Sequence, residues 1–258
     1  SDWNDMIFMD TPIMKHYWTA ESHMNSAIGL CVIPALIKQL EKYQGKLNSG
    51  NQQLCRDLIT GLRLFEQSNR TAFYKDLQNR SFSRRLYLSG GEALGDKDMH
   101  IEPQIFLMQD EHFPRAKKQL LWKNIQARLL DKELLGPRQR EQGVPSAQYI
   151  PGTGENGGLW HALTGPLVIG LASIDKKAVT NLLQRMTFNH FAKCYPDYWV
   201  GHWTSPDTIN TDESGDIAGL PRNGDNGFWF NFAAYCAHSH AWPLYCYLRL
   251  QNDDIAKT

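Results

Sequence analysis

The sequence predicts an all-α protein, built from helical hairpins whose long loops gather at one end, as in an (α/α)6 toroid of paired helices. Apolar residues recur at helical spacing over most of the chain, and short polar turns divide the helices into pairs. Segments 136–158 and 196–226 are long and irregular, and such loops in compact domains are usually functional. The visible helices make up about half of a closed ring. Residues 1–258 are therefore expected to form one unit, the C-terminal part and about the second half of such a domain.

The first predicted hairpin combines a helix over 22–43 with a helix that runs from about 51 to Tyr74. Pro34 is expected to kink the first helix, and Gly45 supplies a stop signal after it. The apolar positions at helical spacing are Met24, Ile28, Cys31, Ala35 and Leu36 in the first helix, and Leu54, Leu58, Leu62 and Phe65 in the second.

A short strand and a second pair of helices follow. Residues 84–88 alternate like a strand, and Ser89-Gly90-Gly91 is a turn signal, so we expect a loop or a small hairpin here. Helical patterns resume over 101–108 and 114–130. The predicted buried stripe of the latter helix consists of Ala116, Leu120, Ile125 and Leu129.

The last predicted helices are 160–173, 176–193 and 228–250. Asp175 lies directly before the second of them and has the side chain of an N-cap. The final helix is apolar almost all round, which predicts that it is buried.

Composition excludes several classes of protein. The 27 basic and 27 acidic residues cancel, which argues against a nucleic-acid or anionic-membrane partner. No apolar run approaches the ~20 residues needed to cross a bilayer, and the N-terminus has no signal-peptide pattern, so we expect a cytoplasmic protein. The 5 cysteines include no CxxC pair, which favours reduced thiols over a disulfide framework or a zinc site.

Three loop clusters place a carboxylate or an imidazole beside an indole: Asp2-Trp3-Asn4-Asp5, residues 154–161 and residues 198–207. The chain is rich in aromatic side chains, with 8 Trp and 10 Tyr. Carboxyl groups transfer protons in glycoside cleavage, and an indole packs against the apolar face of a sugar ring. The clusters predict a carbohydrate-active site, although the first tetrad alone also fits a polar turn with a buried Trp.

The order of these motifs resembles one family. Asp-Trp-Asn-Asp is followed by the aromatic and basic segment around Arg84-Arg85-Leu86-Tyr87, by helices, and by Glu155-Asn156-Gly157-Gly158 with His161 just after. This order resembles the inverting β-glycoside phosphorylases, which include cellobiose, chitobiose and laminaribiose phosphorylases and the β-oligoglucan phosphorylases. The resemblance runs from Asp2 to about Leu250. It implies phosphorolysis of β-linked gluco-oligosaccharides to α-glucose 1-phosphate, with inorganic phosphate as co-substrate and no cofactor or metal.

The resemblance also implies roles for individual residues. Asp5 matches the general acid, Trp3 and Glu155 match sugar-binding positions, and His161 is the nearest match to a phosphate-binding histidine, one residue earlier than in the cellobiose enzymes. The alternative role is a buried loop anchor for Trp3, a carboxylate that stabilises a helix N-terminus for Glu155, and a core histidine for His161. Further substrate-binding candidates are Trp199, Trp203 and Asp207; further phosphate-binding candidates are His202, Thr204, His238 and His240. His238 and His240 are two residues apart on a helix, which makes a poor metal motif.

Two other functions stay open at this point. An inverting hydrolase requires a second carboxylate as base, for which Glu155, Asp207, Asp212 and Glu213 are the candidates. A non-catalytic carbohydrate-binding fragment is the other alternative. Because the tetrad begins at Asp2, we expect another segment or chain to supply the N-terminal half of the domain, and the isolated chain to be inactive or insoluble. A homodimer is a further possible assembly.

Overall fold

The structure is a computed structural model that describes residues 3–4, 16, 18–146, 150–198, 206–222 and 238–255. The side chains of 222, 238–240 and 252–255 lie outside this description. The described chain is mainly α-helical, as the sequence predicts. In chain order, the helices are α1 His23–Tyr43, α2 Ser49–Asp76, α3 Ile101–Gln109, α4 Arg115–Ile125, α5 His161–Leu171, α6 Lys176–Arg185, α7 Phe188–Cys194 and α8 His238–Ile255.

Short turns and strands connect these helices. A π-helical turn, Gln126–Leu130, extends α4, and 3-10 turns occupy Gln44–Lys46 and Asp212–Ile217. The strands are β1 Glu21–Ser22, β2 Leu86–Tyr87, β3 Ala93–Leu94, β4 Thr208–Ile209 and β5 Pro221–Arg222. Strands β1, β2 and β3 form one antiparallel sheet in that order, and β4 pairs with β5. Of the loop or small hairpin expected in this region, the structure has the hairpin, formed by β2 and β3.

Side-chain caps fix where several helices begin. The Ser22 hydroxyl accepts a hydrogen bond from the Asn25 amide at α1, and the Asn48 side chain accepts one from the Asn51 amide at α2. The Asp175 carboxylate accepts from the amide of Ala178, 3.0 Å away, which confirms it as the N-cap of α6. Each cap satisfies an amide that the helix itself leaves without a partner.

The helices pack as a series. Helix α1 packs against α3, α3 against α5, and α5 against α8. Helix α2 lies against α1, and α6 against α5, so each follows and flanks a member of the series. The main core fills the space between these helices; its fully buried members include Leu30, Ile105, Leu107, Leu121, Ile125, Leu167 and Leu171. No helix within the described ranges combines the length and apolar character required to cross a bilayer.

Helix α4 and the segment after Asp175 differ from the sequence-based expectation. Ile125 and Leu129 are buried, as predicted. Ala116 and Leu120 are exposed, Leu120 by 45%, and Leu121 and Trp122 are buried in their place. The helix predicted over 176–193 is interrupted, because Thr187 leaves the helical conformation and caps a new helix, α7, with its hydroxyl. A competing cap can end a helix whose apolar pattern continues.

The prediction that the last helix is buried all round is wrong for its described part. Helix α8 contacts α5 closely on one side, where the Cys246 thiol donates to the carbonyl of Gly165 and Trp242 lies over the same glycine. On its other side, Leu244 and Tyr247 are 60% and 54% exposed. Helix α8 therefore has more apolar surface than its described neighbours cover.

Candidate active site

Two segments that are far apart in sequence meet at the candidate site. The ring of Trp3, from the tetrad, lies edge-on to the ring of Trp160, with 5.1 Å between centroids and 74° between planes. The Trp160 indole is oriented by its N–H, which donates to the carbonyl of Gly154 at 3.1 Å. The indole N–H of Trp3 is buried and has no hydrogen-bond partner among the described residues. A buried donor of this kind suits a ligand hydroxyl.

The loop that carries Glu155 has a fixed conformation. The Asn156 side chain closes it, since its oxygen accepts from the Val144 amide at 2.9 Å and its nitrogen donates to the Val144 carbonyl at 2.7 Å. Gly157 has φ +106°, a conformation that favours glycine. Glu155 is held in this turn with 6% of its surface exposed, so Asn156 and Gly157 serve to position its carboxylate.

The third cluster, residues 198–207, connects to the Glu155 loop at its C-terminal end, which the structure describes. Asp207 is half-buried and leads into β4, whose Ile209 exchanges two backbone hydrogen bonds with Leu159, at 2.8 and 3.0 Å. The Thr208 hydroxyl donates to the Leu159 carbonyl at 2.9 Å. A Cβ on Gly158 would lie 2.6 Å from that hydroxyl, so only glycine permits this approach. Asp207 is therefore close in the fold to the Glu155 loop.

His161 is the first residue of α5 and is 6% exposed. It follows Trp160 directly, so the N-terminus of α5 adjoins the residue whose indole contacts Trp3. Amide groups at a helix N-terminus and the helix dipole favour an anion such as phosphate. The phosphate-binding role of His161 stays a prediction, and its burial is equally compatible with a core histidine.

A buried ion pair lies behind the Glu155 loop. Arg85 of the β1–β2–β3 sheet donates from Nε to Oε1 of Glu102 in α3 at 3.2 Å, and both side chains are fully buried. The Gln139 side chain donates to the same oxygen at 2.7 Å, while its backbone amide donates to the Gly158 carbonyl at 2.9 Å. Glu102 thereby ties the sheet and α3 to the loop of the candidate site.

A second charged group flanks this ion pair. His100 lies at the start of α3, fully buried, with its Nε2 atom 3.2 Å from the Asp98 carboxylate. Burial lowers the pKa of His100. Burial alone would raise the pKa of Asp98, but neighbouring His100 and Arg140 outweigh that effect and hold its pKa well below its usual range. Asp98 is therefore an ionised carboxylate that fixes Arg140, and it is unsuited to donate a proton.

Two of the four candidate bases for a hydrolase are poorly placed for that role, one because its carboxylate is already hydrogen-bonded and the other because it is exposed. Both carboxylate oxygens of Glu213 accept from the Gly143 amide, at 2.9 and 3.0 Å, and one lies 3.7 Å from Arg138. Asp212 is exposed and begins the 3-10 turn. A base must be able to reach and deprotonate a water at the reacting carbon. Glu155 and Asp207 are left as the described candidates for that role.

For the remaining predicted site residues, the structure describes no side-chain contacts. Asp5, Trp199, His202, Trp203 and Thr204 lie outside the described residues. His238 and His240 begin α8, which packs against α5, but their side chains are not described. Within the described residues, no three His, Cys, Asp or Glu side chains are grouped to hold a metal ion.

The structure adds contacts to the site that the sequence did not indicate. Trp160 partners Trp3, and Glu102 and Gln139 support the loop. Trp160 was detectable as the indole after Glu-Asn-Gly-Gly, whereas nothing in the sequence near Glu102 or Gln139 indicates their contact. In comparisons with known proteins, no protein-family model and no curated protein sequence matches this chain. The motif residues therefore carry the family resemblance by themselves.

Proposed function

We propose that the chain belongs with the inverting β-glycoside phosphorylases and catalyses phosphorolysis of β-linked gluco-oligosaccharides to α-glucose 1-phosphate and a shortened sugar. The observation that carries this proposal is the contact of Trp3 with Trp160. It joins the tetrad that contains Asp5 to the loop of Glu155 and to the N-terminus of α5. The described part of the tetrad, the Glu155 loop and the N-terminus of α5 thereby meet, although the two indoles are far apart in sequence. We infer that Asp5, two positions after Trp3 in the sequence, is the general acid of this site.

In this mechanism Asp5 protonates the glycosidic oxygen, because the aglycone leaves far more easily as an alcohol than as an alkoxide. Phosphate, held near His161 and the first amides of α5, attacks the anomeric carbon from the opposite face and inverts it. Trp3 packs against a sugar ring at the cleaved bond, and the Glu155 carboxylate accepts hydrogen bonds from sugar hydroxyls. Since phosphate is itself the nucleophile, the reaction requires no second carboxylate as base.

The fold proposal is a sector of an (α/α)6 toroid. Support comes from the series α1, α3, α5 and α8, in which consecutive members pack on one another and α2 and α6 flank their partners. The candidate site lies at the N-terminal end of α5, and we propose that the loops of such a toroid converge there. We propose that further helices, from another segment or chain, continue the series and complete the donor-sugar site.

The test of function compares β-1,2-, β-1,3- and β-1,4-linked gluco-oligosaccharides with and without inorganic phosphate. The proposal requires α-glucose 1-phosphate, formed only with phosphate, from at least one linkage. Glucose released at equal rates in both conditions favours the inverting hydrolase, with Glu155 or Asp207 as base. Sugar binding without any turnover, in a preparation that includes the segment or chain completing the domain, favours a carbohydrate-binding fragment.

The Asp5→Asn variant tests the assignment of the acid. It retains the shape of the side chain and removes the proton donor, so turnover should fall by at least about 100-fold while sugar binding persists. Asp57→Asn is the matched control, because Asp57 is exposed on α2 and contacts only Gln53 among the described hydrogen-bonding side chains. Equal turnover by both variants would exclude Asp5 as the acid.

A further inference from the structure

A second cleft, separate from the Trp3 and Glu155 site, opens between the first turn of α1, the last turns of α2, and strands β1 and β2. Its volume is about 450 Å³, within the ~300–1,000 Å³ range of small-molecule sites. Aromatic and polar side chains line it together, among them Glu21, Ser26, Asn69, Phe73, Lys75 and Tyr87. None of these residues belongs to the proposed catalytic set.

The aromatic floor of the cleft is held rigidly. The Tyr87 hydroxyl donates to the Asp76 carboxylate, which also accepts from Arg84 Nη1 at 2.6 Å. The Arg84 guanidinium lies over the Tyr87 ring, 5.2 Å from its centroid. His23 meets the same ring edge-on at 4.9 Å. A ring fixed on several sides loses little conformational entropy when a ligand packs against it.

The polar rim of the cleft, formed by Glu21, Asn69 and Lys75, has side-chain groups that can hydrogen-bond a ligand. Glu21 and Lys75 are exposed, and the side chain of neither forms a hydrogen bond with another described residue. The Asn69 amide nitrogen donates to the Ser26 carbonyl at 2.9 Å, which orients its oxygen as an acceptor. The charges of Glu21 and Lys75 cancel, and Arg84 compensates Asp76. This balance suits a neutral ligand with many hydroxyl groups better than an anion or a cation.

An exposed indole lies next to this rim. Trp18 is 91% exposed, in a turn closed by the His16 carbonyl, which accepts from the amides of Thr19 and Ala20. Trp18 is three positions before Glu21, so their Cα atoms are at most ~11 Å apart. An indole displayed to this extent is an apolar surface that a binding partner can cover.

We propose that this cleft and Trp18 form a second carbohydrate-binding site, which holds part of a neutral β-gluco-oligosaccharide outside the catalytic site. Tyr87 and Trp18 would supply packing surfaces, and Glu21, Asn69 and Lys75 would bind hydroxyl groups. The choice of sugar rests on the proposed function. Binding at the cleft shares no residue with catalysis, so it can be measured whether or not turnover occurs.

Calorimetric titration of the full chain without phosphate tests this site, with β-1,2-, β-1,3- and β-1,4-linked glucohexaoses as separate probes. At least one hexaose should bind, and Trp18→Ala and Lys75→Ala should each weaken it about five- to tenfold, the loss expected for one aromatic or polar contact. Phe65→Ala, which removes another exposed ring on α2, should leave binding unchanged.

Trp3→Ala separates the two sites. Hexaose binding that persists in Trp3→Ala and weakens in Trp18→Ala supports the second site, even if no sugar phosphate is ever formed. The proposal is overturned if no hexaose binds, if the Trp18 and Lys75 variants bind as tightly as the parent chain, or if Trp3→Ala alone abolishes binding. Circular dichroism of each variant confirms that it is folded before titration.

Discussion

The buried pair of Arg85 and Glu102 illustrates how one contact can support a site without belonging to it. Neither side chain is reached by solvent. Glu102 accepts from Arg85 and from Gln139, and its second oxygen is buried without a described partner. Removing one member of a buried pair leaves an uncompensated charge, which costs more than the pair itself contributes.

Glu102→Ala should therefore destabilise the fold by roughly 3–5 kcal/mol, measured as the free energy of unfolding in urea. The matched control is Glu41→Ala, which removes a carboxylate paired with Arg63 at an exposed position on α1. A surface pair of this kind contributes about 0–1 kcal/mol. Equal effects of the two substitutions would contradict the importance assigned to Glu102.

His23 makes a prediction about pH. Burial, together with the positive charges of Arg84, Arg80 and Arg85, lowers its pKa from 6.5 to about 4 despite the nearby Asp76 carboxylate. The unfolded chain therefore binds a proton between these two values when the folded chain does not. Folding stability contributed by neutral His23 is complete above pH 6.5 and is lost as the pH falls toward 4.

Because a tenfold change in an equilibrium constant corresponds to about 1.4 kcal/mol, this loss is on the order of 3 kcal/mol. Urea unfolding at pH 7 and pH 4 measures it in the parent chain and in His23→Gln. The parent should lose more stability on acidification than the variant. An identical loss in both would show that other groups account for the acid sensitivity.

At the scale of single residues, some members of the candidate site were predictable from the sequence and others were not. Trp3 and Glu155 were predictable because their neighbours in sequence form recognisable motifs. Trp160 was missed as a partner, and Glu102 was missed entirely, since a carboxylate in an apolar helix becomes distinctive only when Arg85 and Gln139 are seen against it. Local patterns identify groups that carry chemistry, whereas long-range contacts determine which groups hold them.

Among the elements, the Glu155 loop requires glycine at position 158, where its backbone lies against that of Gly154. A Cβ at Gly158 would lie 2.6 Å from the Gly154 carbonyl oxygen and 2.7 Å from the Gly154 nitrogen, so backbone atoms would have to move. The Thr208 hydroxyl is equally close and links β4 to the loop. The loop therefore cannot keep its present closure with a larger residue at this position.

Gly158→Ala should destabilise the protein by about 1–3 kcal/mol and weaken oligosaccharide binding, because it displaces Glu155 and the strand after Asp207. Gly61→Ala is the control: Gly61 lies inside α2 with open space around its Cα, and alanine there should stabilise the helix by up to ~1 kcal/mol. Thermal unfolding and calorimetric titration measure both. A Gly158→Ala protein that matches the parent in both assays would contradict the close-packed loop.

The helices themselves were largely predictable, and the exceptions have physical causes. Ser22, Asn48 and Asp175 supply local caps, so the starts of α1, α2 and α6 follow from short stretches of sequence. The division between α6 and α7 was missed because Thr187 caps a new helix inside an unbroken apolar pattern. Which face of α8 is buried depends on neighbours that are distant in sequence.

For the molecule as a whole, apolar side chains are exposed on both flanks of the helix series. On α2, an outer face formed by Leu54, Leu58 and Phe65 is 48–68% exposed at each residue. On α8, at the other end of the series, Leu244 and Tyr247 are exposed to a similar extent. Large exposed apolar surfaces mark places where another polypeptide packs. The proposed toroid accounts for both flanks, since further helices would cover them.

If these flanks are packing surfaces, the chain by itself should associate through them. Sedimentation velocity over a range of protein concentrations should show concentration-dependent assembly, and Leu58→Glu should weaken that assembly at least tenfold, about 1.4 kcal/mol, because an apolar contact would have to bury an unpaired carboxylate. Gln67→Glu adds the same charge at another exposed position of α2 and should have little effect. A chain that stays monomeric at every concentration would mean that the exposed faces of α2 and α8 are both stable in water as they stand, and it would contradict the argument for covering helices.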